Sequence, residues 1–160
     1  MMNKRTLRWL VIGTAVIIAA VLFFSQVRPV VAPVLVISAE TAAARALAAA
    51  QDDGFGGYAE PPGKIFGKQM TLAEARRFVF GANAGAYNDR PASEAVWLVV
   101  LEGKFIEHVP AAPPDIPARD VEHSQMALLI DAKSGEVFER TMIAPQQTLD
   151  TSTLPPLPTP

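Results

Sequence analysis

Residues Gln125 to Met142 read QMALLIDAKSGEVFERTM. Two apolar-rich runs flank a short polar break, and the reading of that break decides the fold. Before it, Met126, Leu128 and Ile130 alternate with Ala127, Leu129 and Asp131. After it, Val137, Glu139, Thr141 and Ile143 alternate with Phe138, Arg140 and Met142. A period of two residues belongs to β-strands. In DAKSG, Asp131 begins the break, where its carboxylate accepts turn amides, and Gly135 stands where a positive φ is required. The spacing predicts a β-hairpin, with Asp131 as a turn residue rather than a catalyst.

Upstream, ASEAVWLVVLEGKFIEH holds the most hydrophobic run of the C-terminal part, Ala95 to Leu101. β-Branched and aromatic residues dominate it, which predicts a central strand. Gly103 predicts a bulge or bend, after which Phe105 returns to the core. The stretch Val109 to Ser124 has four prolines in sixteen residues and is expected to be a long connection.

Two helices are expected. In TLAEARRFVFG, Thr71 and Glu74 have capping-box spacing and Gly81 is a suitable stop. Leu72, Ala75 and Val79 line one face with Phe78 beside them, leaving Arg76 and Arg77 on a solvated face. In SAETAAARALAAA, Ser38 is an N-cap and alanine favours a helix from about Ala39 to Gln51. DDGFGGYAEPPGKIFGKQ, between the helices, is glycine- and proline-rich and is expected to be a loop whose Phe55, Tyr58 and Phe66 fold back on the core. It lacks the glycine spacing of a phosphate cradle. The final segment, residues 144–160, has no periodic apolar face and is expected to be a disordered, proline-rich tail. Its LPPLP resembles segments read by polyproline-II grooves, but no basic residue flanks it.

The N-terminal region carries a different message. Trp9 to Val27 is nineteen residues without a charge, about 28 Å as a helix, close to the thickness of a bilayer core. Lys4, Arg5 and Arg8 precede it and Arg28 follows, so residues 1–8 are expected to stay in the cytoplasm. A cleaved signal peptide is the competing reading. The apolar run is long for one, and the nearest small-residue site, Val30-Val31-Ala32, is followed by Pro33. The expectation is a transmembrane signal-anchor helix over 9–27, touching membrane lipid, then a stalk over 28–37 broken by Pro29 and Pro33. The remainder is placed outside the cytoplasm. It carries all 16 acidic residues of the chain and ten of its 14 Lys and Arg, a net charge of about −6. An acidic body excludes a nucleic-acid partner, since phosphate binding needs a basic face.

The chain has no cysteine, which excludes disulfides, a cysteine nucleophile and a thiolate zinc site. Its two histidines, His108 and His123, stand at either end of the proline-rich connection and are expected to be solvent-exposed loop residues. They would approach each other if they flanked paired strands, but no H-x-x-x-H spacing is present, so no metal is assigned to them. Ser124 adjoins His123, but strand neighbours point to opposite faces. Glu102, Glu107, Glu136 and Glu139 can face one another across strands as paired carboxylates, though nothing in the sequence builds a cleft around them. No catalytic, cofactor-binding or metal-binding residue is assigned, and no enzyme is expected.

The order of an alanine-rich helix, a hydrophobic strand VWLVVLEG and the hairpin LLIDAKSGEVFE resembles PepSY-type domains. The likeness covers Ser38–Ile143 loosely and Leu128–Val137 more closely. The resemblance implies a small α+β module of secreted or membrane-anchored bacterial proteins and peptidase propeptides, with the D-x-x-[ST]-G-[EK]-[VI] turn joining its last two strands. It also implies a non-catalytic role, binding or restraining other extracytoplasmic proteins. The glycine-rich loop and the Val109–Ser124 connection make this chain longer than a minimal module.

The expected architecture is α+β: an N-terminal transmembrane helix, then two helices packed on one face of a three- to four-stranded antiparallel sheet over 38–143. The expected function is that of a membrane-anchored extracytoplasmic binding or regulatory module, its contact surface the exposed sheet edge or the Asp52–Lys68 loop. The alternative is an accessory subunit of a membrane protein complex acting through its transmembrane helix, for which Gly13 and Ala15–Ala20 supply small packing residues.

Overall fold

The runs VWLVVL and QMALLI pair with each other at the centre of a sheet. In the computed structural model, strand β3 (Ala95–Val109) runs antiparallel to β4 (Arg119–Asp131), with Val96 opposite Asp131 and Leu101 opposite Met126. Val99, Leu101, Met126, Leu128 and Ile130 are buried on one face; Val96, Leu98, Val100, Ala127 and Leu129 are buried on the other. A strand covered on both faces needs apolar residues at consecutive positions, which is why these segments read as runs.

The structure describes residues 35–51, 53–84, 90–111 and 117–159. The expected cytoplasmic residues 1–8, the 9–27 span and most of the 28–37 stalk lie outside them. No helix among the described residues is long and apolar enough to cross a membrane. Leu35–Pro160 forms one compact unit of the chain.

Each face of the sheet takes one helix. Helix α1 (Ala39–Ala49) starts at Ser38, whose hydroxyl accepts the Thr41 amide at 3.1 Å. Its Ala42, Ala43 and Ala46, with Ala50 beyond its end, are fully buried against Val99, Leu101 and Leu128. Helix α2 (Leu72–Phe80) carries the expected capping box between Thr71 and Glu74 and ends at Gly81. Leu72 and Ala75 bury against Val96, Leu98 and Val100 on the opposite face. The helices therefore take opposite faces of the sheet, not the single face expected from the sequence. Central strands with two apolar faces need a layer on each side.

Among the described residues the sheet has five strands, not three or four: β1 (Gly56–Tyr58), β2 (Lys64–Thr71), β3, β4 and β5 (Val137–Met142). β1 and β2 pair in succession with the same edge of the long β3, Gly56 opposite Glu107 and Lys64 opposite Glu102. β1 and all of β2 but its last two residues fall in the stretch expected to be loop. Tyr58 and Phe66 do pack on the core, while Phe55 stays 75% exposed. Partners supplied by β3 outweigh the poor strand propensity of the glycines.

The opening hairpin forms as expected. The Lys133 and Ser134 amides both donate to Asp131 Oδ1 at 2.8 Å, and Gly135 has φ 74°. The turn joins β4 to β5, the last two strands. The register of β3 against β4 shifts between Glu102 and Phe105, at Gly103, and Phe105 is fully buried.

The C-terminal segment does not match the expectation of disorder. After β5 the chain crosses to the far edge of the sheet and lies along β2. A short 3-10 turn covers Thr151–Thr153, and Leu154 is buried. The Gly67 amide donates to the Pro155 carbonyl at 3.0 Å, and the Leu157 amide to the Ile65 carbonyl at 2.8 Å. Its apolar residues Leu149, Leu154 and Leu157 follow neither period and meet surfaces distant in sequence, which leaves no periodic signature.

Candidate binding surface

Beyond Glu102, β3 and β4 continue as a ribbon in which Phe105 faces His123, Glu107 faces Val121, and His108 faces Asp120. β1 flanks it at Gly56–Tyr58. The ribbon exists because β4 begins at Arg119, inside the stretch expected to be a connection. Both histidines thus sit on strands, not in loops. They are three positions apart on the paired register, about 10 Å along the strands, and three positions reverse the face. The fold does not bring them together.

His123 is 5% exposed. Its Nδ1 lies 2.9 Å from the Ile143 carbonyl oxygen, and its Nε2 lies 2.9 Å from Glu107 Oε2. A carbonyl only accepts, so Nδ1 carries the hydrogen there. The second bond is then complete when the ring and Glu107 share one further proton. Both ring nitrogens are engaged within the fold, and His123 clamps β3, β4 and the start of the C-terminal segment.

His108 Nδ1 lies 2.8 Å from Asp120 Oδ1 across the ribbon. This pair belongs to the wall of an open groove of about 450 Å³, lined by Gly54, Phe55, Val109, Pro110, Ala118 and Arg119 besides His108 and Asp120. The backbone that presents Phe55 is held from several directions. The His108 amide donates to the Phe55 carbonyl at 3.0 Å, and the Phe55 amide to Asp53 Oδ1 at 3.1 Å. Arg140 then ties Asp53 to the end of α1, donating to Asp53 Oδ2 and to the Ala49 carbonyl, each at 2.9 Å. The Phe55 amide, with Arg140 behind it, holds the Asp53 carboxyl below its usual range, so it is an ionised acceptor. The result is an exposed ring on an anchored backbone, beside an imidazole, a guanidinium and a carboxylate. Among the described residues of the lining there is no hydroxyl, thiol or amine. It suits recognition of a chemically mixed surface.

The carboxylates considered from sequence do not pair with each other. Glu102 accepts from Gln125 and Thr151, Glu107 bonds His123, Glu136 pairs with Arg90, and Glu139 pairs with Arg76. Arg76 is not on a solvated face: it lies 3.4 Å from Glu139, and both side chains are 16% exposed. Burial raises the Glu139 carboxyl above its usual range even though Arg76 acts against it. Asp131 is a turn residue with its carboxyl lowered to about 2, chiefly by the Ser134 and Lys133 amides and then by Arg90. Among the described residues no group of three or more His, Asp or Glu is placed to hold a metal ion.

Arg90 went unnoticed in the sequence. It bonds Glu94 at 3.0 Å, Asp131 at 3.2 Å and Glu136 at 3.2 Å, and lies over the Phe138 ring at 4.1 Å. The signal was the acidic pair, Asp131 and Glu136, bracketing the hairpin turn, which calls for a cation from elsewhere in the fold. Comparisons with protein-family models, with curated proteins and with solved structures find no match to this chain.

Proposed function

We propose that the chain is a non-catalytic binding or regulatory module of PepSY-like type, anchored in a membrane through Trp9–Val27 with its folded body outside the cytoplasm. Its partner is an extracytoplasmic or membrane protein. The observation that carries this reading is Phe55, 75% exposed yet fixed by Asp53 and His108 at the rim of the ribbon groove. An exposed large aromatic on a rigid backbone is the type of residue that anchors protein contacts. The anchor is supported by the uncharged apolar span and its basic flank.

The test uses the full chain in its native membrane, with a photoreactive phenylalanine analogue at position 55. Position 60, also exposed, serves as the control. A defined cross-linked protein is expected from position 55 alone, and Phe55→Ala is expected to lower co-purification of that protein at least tenfold. Equal capture from both positions would sink the site. A reporter fused after Pro160 that is active only in the cytosol would sink the topology.

A second reading, an accessory subunit acting through its membrane helix, is favoured by Leu35 and Val36. They are 89% and 41% exposed at the first residues of the described body. Exchanging Trp9–Val27 for an unrelated membrane span separates the two: function survives under the first reading and is lost under the second.

A further inference from the structure

The C-terminal segment touches the body as a ligand touches a site. Among the described residues the segment meets β2 as a single bridge pair, Phe66 with Pro156, whereas β2 pairs with β3 along all 8 of its residues. Pro155, Pro156 and Pro158 have no N–H and cannot extend the ladder. The hold comes from separate handles. Leu154 enters the core on the α2 face of the sheet, and Leu157 packs on the α1 face, so the Leu-Pro-Pro-Leu unit straddles the edge strand. Gly67 makes the space: a Cβ there would stand 2.6 Å from Leu157 Cδ1 and 2.9 Å from the Leu98 carbonyl oxygen of β3. One turn earlier Gln125 holds the backbone of Leu149. The β2–β3 ladder uses none of the segment's residues, and the outer edge of β2 that the segment covers has apolar residues packed on either face.

We infer that the outer edge of β2 is a peptide-docking site for extended, uncharged Leu-Pro-Pro-Leu-type segments of another protein, occupied in cis by residues 149–159 as a built-in competitor. The chemistry of the occupant is read from Leu154–Leu157 of the tail: two leucines three positions apart, prolines between them, no charge within those four residues, and backbone groups exchanged with Ile65 and Gly67. Adding an extended segment to a sheet edge is an established mode of peptide recognition. A tethered competitor acts at an effective concentration on the order of millimolar, so a free ligand enters only when the tail is weakened or displaced. The site is separate from the ribbon groove and does not rest on the partner proposed there.

The probe is a fluorescent peptide of residues 150–159, titrated onto full-length protein. It is expected to bind wild type weakly. It is expected to bind the double variant Leu154→Asp, Leu157→Asp, whose own tail cannot dock, at least about tenfold more tightly, because the tethered competitor is gone. Adding Gly67→Val, which fills the Leu157 pocket, is expected to abolish that binding while leaving the circular dichroism spectrum of the double variant intact, and Lys133→Ala, at an exposed turn position, is expected to leave binding unchanged. The edge is a permanent cover only, and the inference falls, if the double variant binds no better than wild type, or if Gly67→Val has no effect. It also falls if wild type proves to be a dimer with exchanged tails. Should the double variant not fold, a protease site replacing Gln146-Gln147 allows the tail to be cut in the folded wild-type body. Uptake of labelled peptide then supports the site, and a cut tail that never exchanges overturns it.

Discussion

Gln125 grips Leu149 by both ends of its side-chain amide. The Leu149 N–H donates to Oε1 at 2.7 Å, and Nε2 donates to the Leu149 carbonyl at 3.2 Å and to Glu102 at 3.3 Å. Gln125 is 4% exposed, so these bonds form away from water. Gln125→Leu leaves the Leu149 backbone groups without partners. The expected loss is about 1–3 kcal/mol in denaturant unfolding, the usual penalty for stranded buried polar groups. Amide exchange is expected to speed up most at Leu149 and Leu157, and uniform acceleration through the sheet would contradict the clamp.

Gly135 closes the DAKSG turn at φ 74°. Gly135→Ala is expected to destabilise by about 1 kcal/mol or more, because a Cβ disfavours the left-handed region. Gly63, whose φ is ordinary and whose surroundings are open, is the control. Gly63→Ala is expected to be neutral or slightly stabilising. Equal effects at the two positions in chemical denaturation would refute the assignment.

Asp131 sets an acid limit. Its folded carboxyl titrates at about 2, against an ordinary value of 3.8. A depressed carboxylate stabilises fully above its unfolded value, and the contribution fades as pH falls from about 5 toward 2. Asp131→Asn is expected to lose about 1–2 kcal/mol at pH 7, and the gap from wild type is expected to narrow as pH falls through that window. Unfolding curves across pH 2–7 check it, and a gap independent of pH would count against the assignment.

The Arg76–Glu139 pair is expected to be asymmetric. Burial dominates the Glu139 carboxyl and raises it, so its charged form gains little from folding at neutral pH. Glu139→Gln, which keeps an acceptor for Arg76, is expected to change stability at pH 7 by less than about 1 kcal/mol. Arg76→Met strands the carboxylate in a site where it is 16% exposed, and is expected to cost about 2 kcal/mol or more. Parity of the two variants in thermal melts would remove the asymmetry.

Local rules explain much of what was legible. The DAKSG turn, the Thr71–Glu74 capping box, the Ser38 cap and the Gly103 irregularity each depend on residues within a few positions of one another, and each stands where the spacing put it. The strands Gly56–Tyr58 and Lys64–Thr71 were not legible, because their pairing comes from β3, dozens of residues away. His123 read as a loop residue for the same reason: its hydrogen-bond partners, Glu107 and the Ile143 carbonyl, are 16 and 20 positions distant.

The amino-acid order by itself determined the α+β class, both helices with their caps, the central strands and the hairpin, since propensity, capping and period-two alternation act over a few residues. Only the tertiary structure decided that the helices take opposite faces, that five strands pair, that Phe55 stands exposed over a groove, and that the last residues close the edge of β2. Those outcomes rest on contacts between surfaces far apart in the chain, whose energies arise only once the sheet has brought them within reach.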